Sequence, residues 1–480
     1  MKININNILI NETSTIREAM RAISIGEIGV TISVELQNNR FIRIITDGDI
    51  RRALLEGYGL QSRINVIEKK ESIVVGLDAK QSEVTAMFNK DIRIIPVLND
   101  KQQVVDLYFH DKRNRLAVAS PLFDDKEIEL VNECMVSGWI SSSGKFVNEF
   151  EESLAKYIGV KHAVSCSSGT SALHLILMAY GIGIGDEVII PSLTFIATAN
   201  AVTYSGAKPI LIDSDIETWN IDESKIESAI TKNTKAIIPV HLYGKPAKMD
   251  KIMEIADKYK IAVIEDAAEA HGAEVMNKKV GSIGVMGCFS FYGNKIITTG
   301  EGGMLVTNNK ELYEKAQILR DHGMSLSKKY WHDLVGFNYR MTNMQAAIGC
   351  AQMEKVDGIL KTKRNIGSMY NKFFSGHKSL ILPKSDNFSK HIYWMYPVIF
   401  NLRGKDNNKI RDDIADLLKL FKIDSRPFFF PIHIMPPYYE NCSLPVSEKL
   451  SLTGIVLPSY VGITNNEIKI NVKKLSFIFR

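Results

Sequence analysis

Residues 262–272 read AVIEDAAEAHG, an apolar run that ends abruptly in carboxylates and a histidine. A short apolar run bounded by charge reads as a strand rather than a helix. Working outward, HAVSC (162–166), EVIIP (187–191), KPILID (208–213) and KAIIPVHL (235–242) repeat the pattern. Helical segments of about ten or more residues separate them, which predicts an α/β fold on a doubly wound sheet with strands buried on both faces. Glu265, Asp266, Glu269 and His271 then fall at the carboxyl end of their strand, the side on which such sheets bind ligands. Either they lie in a solvated loop, or Asp266, directly after a buried run, faces a cation.

The stretch FSFYGNKIITTGEGG (289–303) supplies a cation, Lys295, between an aromatic run and a glycine-rich turn. On its own, a surface lysine in a β-turn accounts for it. SCSSGTSALHLILMA (165–179) places Ser168, Gly169 and Thr170 after a strand and at the start of a helix. Such a turn receives a phosphate on its N–H groups and hydroxyls, or simply caps the helix. Taken together, a phosphate turn, a carboxylate for a ring nitrogen and a lysine for an aldehyde are what pyridoxal phosphate requires of a protein. The carboxylate keeps the ring protonated, and the lysine forms a Schiff base and, once displaced, moves a proton. Phe195 in PSLTFIATAN (191–200) can stack on the ring, and Gly293, Gly300, Gly302 and Gly303 let backbone pass close to it.

Around these residues the chain resembles the DegT/DnrJ/EryC1/StrS family of sugar-nucleotide aminotransferases, over residues 117 to about 470. WISSSGKFVNEFE (139–151), SSGTSALHL (167–175), PSLTFIATANAV (191–202), PVHLYGKPAKMD (239–250), VIEDAAEAHGA (263–273), FSFYGNKIITTGEGGM (289–304) and VGFNYRMTNMQAAIG (335–349) carry the likeness. The resemblance implies the fold type I (aspartate aminotransferase-like) architecture. It implies Lys295 as the cofactor-bearing lysine, Asp266 at the ring nitrogen and Phe195 over the ring. Ser168, Gly169, Thr170 and Ser290 would lie near the phosphate, and Glu269 near the phenolic oxygen, where many members have glutamine. Asn338 would reach the phosphate of a second subunit, hence a homodimer or larger assembly. Relatives with histidine in place of the lysine run a dehydration, and Lys295 argues against that branch. KKYWHDLVGFNYRMTN (328–343) and RPFFFPIHIMPPYY (426–439) most resemble members that move an amino group from L-glutamate to the C4 ketone of GDP-4-keto-6-deoxy-D-mannose for surface polysaccharides; UDP-linked 4-keto sugars of the legionaminic type are the rival substrates. His332, Arg340 and His433 are the candidates for the sugar-nucleotide pocket, each with a structural hydrogen bond as the competing role.

The first 115 or so residues read differently. RIITDGDIRRALLEG (43–57) runs from strand into helix, and strand-helix-strand-strand order recurs weakly through IVVGLD (73–78), SEVTAMFNK (82–90), RIIPVLND (93–100) and QVVDLYF (103–109). This arrangement resembles a CBS-domain pair over residues 3 to 113. The resemblance implies a ribose held by Thr46 and Asp47 and so a regulatory nucleotide; helix capping is the alternative. The matching place in the second repeat is His110-Asp111. A linker at 112–121 then divides a CBS pair (1–115) from a large cofactor-binding domain (116–365) and a small C-terminal subdomain (366–480). A nucleotide sensor with an inactive aminotransferase scaffold is the alternative of a different class.

Composition narrows the partners. The 59 basic and 54 acidic residues give a net charge of +5 with no long basic block, which disfavours nucleic acid. The five cysteines lack CxxC spacing, so neither a disulfide framework nor a metal centre is expected. The opening MKININNILINETSTIREAM has no unbroken apolar core, so a cytoplasmic enzyme without membrane attachment is expected.

Overall fold

Val188 and Ile190 pack on one face of their strand and Ile189 on the other, and all three are fully buried. Side chains alternate along a strand, so a run apolar at every position must be covered on both faces. Helices Gly169–Tyr180, Ala197–Tyr204 and Lys310–Arg320 contribute to one cover, and helices Lys145–Ile158, Met249–Tyr259 and Asn343–Glu354 to the other. The computed structural model describes residues 5–478 except 27, 80–83, 85–86, 89–91, 93, 110–116, 385–387, 402–409 and 422. His110-Asp111, the linker residues 112–116 and most of the helix read at 82–90 lie outside the described residues.

The covered sheet has seven strands in the order His162–Cys166, Gly303–Thr307, Met286–Ser290, Ala262–Asp266, Thr234–Ile237, Glu187–Pro191, Lys208–Ile212. From Met286–Ser290 outward to Lys208–Ile212 every pairing is parallel. Gly303–Thr307 runs antiparallel to both of its neighbours. The cause is local. A parallel partner needs a crossover of roughly a dozen or more residues that repacks on the sheet, usually a helix. The segment between Ser290 and Gly303 has no helix, and the strands it joins pair antiparallel up to Ser290 and Gly303 themselves, so the chain doubles back. That hairpin holds Lys295 at the carboxyl edge of the parallel strands.

The chain divides into two compact units, Met1–Arg113 and Asn114–Arg480. Within the second, an antiparallel sheet ordered Leu380–Ile381, Tyr396–Phe400, Gly454–Leu457, Arg426–Pro427 carries its own core with helices Ile410–Leu420 and Asn465–Ile478. The expected division at 365/366 falls inside the 19-residue helix Val356–Phe374. Val356, Ile359 and Leu360 join the core of the large sheet, and Ile366, Tyr370 and Phe374 that of the small one. One apolar stripe serves both, so periodicity shows no break where the core changes.

The N-terminal unit contains two three-stranded sheets. In each, the first strand lies parallel and the third antiparallel to the second: Leu9–Asn11, Val30–Val34 and Phe41–Thr46, then Val75–Gly76, Ile94–Leu98 and Val104–Phe109. Ile8, Ile32 and Val34 of the first half share a core with Ile94 and Leu107 of the second.

Glu265 is fully buried and holds the large sheet to its following loop. Its Oε1 accepts from the N–H groups of Ile283 and Gly284, both at 2.7 Å, and its Oε2 from Gly281 N–H at 2.8 Å, with His241 Nε2 at 3.2 Å. An amide cannot accept at both ends. Glu265→Gln is expected to destabilise the protein by roughly 2–4 kcal/mol, read as a lower urea midpoint at unchanged slope; a midpoint within error of the parent contradicts this role.

Candidate active site

Asp266 closes its strand with a buried carboxylate fixed at both oxygens. Oδ2 accepts from Thr198 Oγ1 at 2.8 Å; Oδ1 accepts from Ala268 N–H at 3.2 Å and lies 3.6 Å from Cys288 Sγ. These donors set the direction in which the carboxylate faces.

Lys295 enters from the neighbouring hairpin, where its N–H donates to the Tyr292 carbonyl at 2.9 Å. Its Nζ stands 3.6 Å from Glu269 Oε1 and 3.8 Å from the centre of the Trp394 ring. Burial lowers the lysine's pKa, a shift opposed by the charges of Glu269 and Asp266. Burial likewise raises Glu269, opposed by Lys295 and by the Tyr243 N–H that Oε2 accepts at 2.8 Å. Desolvation therefore outweighs the ion pair for both partners. Tyr243 makes that bond from a left-handed conformation, φ +53°, which costs of order 1–3 kcal/mol in a residue with a side chain and persists only where its surroundings fix it. His271, beside Phe289 and Phe291, is pushed down to about 3 by burial and by Lys295, so its ring is neutral.

Ser168 caps helix Gly169–Tyr180, its hydroxyl accepting from Ser171 N–H at 3.1 Å. The turn is pressed against the strand ends beside it. A Cβ on Gly169 would lie 2.8 Å from Ser290 Cβ, and one on Gly303 would overlap the Ser168 carbonyl. Ser168, Gly169, Thr170 and Ser290 are thereby gathered at one helix N-terminus, where the helix dipole and free N–H groups favour an anion. Phe195 is 55% exposed, with its ring centre 5.7 Å from that of Phe429. A phosphate turn too tight for any side chain at 169 or 303, an oriented carboxylate and a desolvated lysine together fit pyridoxal phosphate.

The remaining candidates lie apart from this cluster within the single chain. Asn338 is exposed and its Oδ1 accepts from Arg340 Nε at 3.3 Å; Arg340 also pairs with Asp321 at 3.1 Å. His332, also exposed, pairs through Nδ1 with the His322 carbonyl at 3.0 Å. Among the described residues no hydrogen bond or ion pair links these three to Asp266, Glu269 or Lys295. His433, the third candidate for the sugar pocket, hydrogen-bonds within the chain. The ring is fully buried, with Nδ1 2.8 Å from Ser192 Oγ and Nε2 3.1 Å from Glu448 Oε1, so both nitrogens are committed within the chain. In the separate N-terminal unit, Thr46 is the helix cap. Its partner is Asp49 rather than Asp47: burial resists the charge on Asp49, but the Thr46 hydrogen bonds and Lys70 prevail and hold it at about 2. Asp47 is exposed and pairs with Arg51 at 2.7 Å.

Thr198, Tyr243 and Trp394 went unidentified in the sequence. Thr198 had a signal, lying three residues after Phe195 in the same stretch PSLTFIATAN that follows a strand end. Trp394 lies in HIYWMYP, far along the chain, and only the tertiary fold brings it to Lys295.

A profile of the DegT/DnrJ/EryC1/StrS aminotransferase family matches residues 121–476. The GDP-perosamine synthase of Caulobacter vibrioides is 48% identical over 357 residues, 74% of this chain and 95% of that one. The GDP-perosamine synthase of Escherichia coli O157:H7 is 45% identical over 354 residues, again 74% and 95%. Among solved structures, the aminotransferase from Psychrobacter cryohalolentis superposes with a TM-score of 0.72 at 32% identity, covering 75% of this chain and 98% of that one.

The tight turn gives a test. Gly303→Ala forces the Ser168 carbonyl away and is expected to weaken pyridoxal phosphate binding on the order of 10-fold or more, roughly 1.4 kcal/mol, in an absorbance titration of the folded protein. Unchanged affinity contradicts the phosphate turn.

Proposed function

The chain belongs to the DegT/DnrJ/EryC1/StrS aminotransferase family, and from that premise we propose that it moves the amino group of L-glutamate to the C4 ketone of GDP-4-keto-6-deoxy-D-mannose, giving GDP-perosamine for surface-polysaccharide synthesis. It is a pyridoxal-phosphate-dependent sugar-nucleotide aminotransferase. The observation that carries the chemistry is the desolvated Lys295 amine facing Glu269 at 3.6 Å, under the charge of Asp266. The choice of GDP and of perosamine is supported by the two synthases above and by a third, from Vibrio cholerae, 40% identical over 357 residues.

When bound, pyridoxal phosphate supplies the carbonyl that takes up nitrogen and the ring that accepts electrons. Ser168, Gly169, Thr170 and Ser290 hold its phosphate. Asp266, oriented by Thr198, keeps a proton on the ring nitrogen, and Phe195 covers the ring. Lys295, once free, takes and returns the proton at the substrate carbon, and burial lowers its pKa, which favours the neutral amine. Glu269 and Trp394 limit where that amine can stand.

A homodimer completes the reading. Asn338 is exposed in the single chain, in a segment where Tyr330 and Val335 are 79% and 92% exposed, as a residue serving a second subunit's phosphate requires. For the N-terminal unit, the two sheets of identical strand order support a CBS pair, with a regulatory nucleotide near Thr46 and Asp47.

The substrate reading is tested by incubating the full chain with L-glutamate and GDP-, UDP- or dTDP-linked 4-keto-6-deoxy sugars, with products identified by mass. Conversion of the GDP sugar to its 4-amino derivative in clear preference is expected. Preference for a UDP or dTDP sugar contradicts the nucleotide assignment, and conversion of none contradicts the reaction.

A further inference from the structure

Lys295 has a neighbour that proton transfer does not by itself require. Trp394 is buried, and its ring is fixed: Nε1 donates to the Asn294 carbonyl at 2.7 Å, and the indole lies nearly parallel to Tyr243, centroids 6.4 Å apart at 17°. The lysine presents to this face its charged end, with Nζ 3.8 Å from the ring centre. A ring serving only as packing would need to meet no more than the methylenes. Asn294 Oδ1, buried and without a partner among the described residues, belongs to a residue lining the same cavity of about 20 Å³ as Lys295 and Trp394, room for one water. Ring face and carboxylate thus flank one ammonium.

We propose that Trp394 is a positioning residue that receives the Lys295 ammonium whenever the lysine is not joined to the cofactor, and so governs when the lysine gives up its proton. The inference rests on Lys295 being the cofactor-bearing residue. A desolvated cation over an indole face is held by the ring quadrupole. A carboxylate can take the proton from the lysine, whereas the indole stabilises the charge without competing for it. The other titratable groups facing the amine are Glu269, Asp266, Cys288 and His271. Lys363 lines the same cavity, its Nζ donating to the Ser459 carbonyl and, at 2.9 Å, to its hydroxyl.

The test is the rate at which full-length apoprotein captures pyridoxal phosphate, followed by absorbance in stopped flow as a function of pH. The amine adds to the aldehyde carbon, a C=N bond forms and the carbonyl oxygen leaves as water; only the neutral amine attacks. The midpoint of the pH profile therefore reports the lysine's ionisation. Removing the ring destabilises the ammonium, so Trp394→Leu and Trp394→Met are expected to move the midpoint down by about one pH unit, with about ten-fold faster capture well below it. Trp394→Phe, which keeps a weaker π face, is expected to shift it less. A parent-like midpoint in whichever of the Leu and Met variants folds by circular dichroism overturns the proposal, provided that borohydride reduction and peptide mapping place the cofactor on Lys295. Mapping to another lysine in the parent protein overturns instead the reading on which the proposal rests.

Discussion

A lysine amine withdrawn from water must lose its proton or be faced by groups that favour its charge, and much of this site can be understood from that constraint. Lys295 is buried at the edge of a sheet, and what surrounds it is what a buried ammonium needs: Glu269 at 3.6 Å, the charge of Asp266 and the Trp394 face at 3.8 Å. Desolvation nevertheless lowers the lysine's pKa against the charges of Glu269 and Asp266, which favours the neutral amine. The same balance appears from the other side in Glu269, whose pKa is raised by burial despite the lysine. Tyr243 accepts a left-handed backbone to hold Glu269 by its N–H, which places strain where positioning matters most.

The sheet provides the frame. Parallel strands bring Cys166, Pro191, Asp266 and Ser290 to one edge, and the turns that follow them carry the phosphate turn, Phe195 and the hairpin with Lys295. The antiparallel strand Gly303–Thr307 is what lets that hairpin be short. Because Gly303 also lies directly against Ser168, the strand that returns from the lysine forms the floor of the phosphate turn. One structural choice, a hairpin in place of a crossover helix, thus fixes two parts of the site at once.

The α/β character was legible because strands buried on both faces carry unbroken apolar runs, as at Val188–Ile190 and Ala262–Ile264. The convergence of Asp266, Glu269 and Lys295 was legible because strand ends in such a sheet share an edge. Strand direction was not legible: nothing in the run GGMLVT states whether its neighbour runs with it or against it. Nor was Trp394, which reaches the lysine only through tertiary packing. Nor were the partners of His433 legible, since Ser192 and Glu448, which meet its two nitrogens, lie in other parts of the chain. Thr46 and Asp47 are adjacent in sequence yet engaged separately, the hydroxyl in a helix cap with Asp49 and the carboxylate in a surface pair with Arg51.

The central claim is that the carboxylate of Asp266, fixed by Thr198 and Ala268, keeps a proton on the cofactor's ring nitrogen. It is tested most directly by the nuclear magnetic resonance shift of pyridoxal phosphate isotope-labelled at that nitrogen and bound to the full chain. A protonated pyridinium signal in the parent protein that moves to the unprotonated position in Asp266→Asn is the predicted result. An unprotonated nitrogen in the parent, or a pyridinium signal unaffected by the substitution, would contradict it.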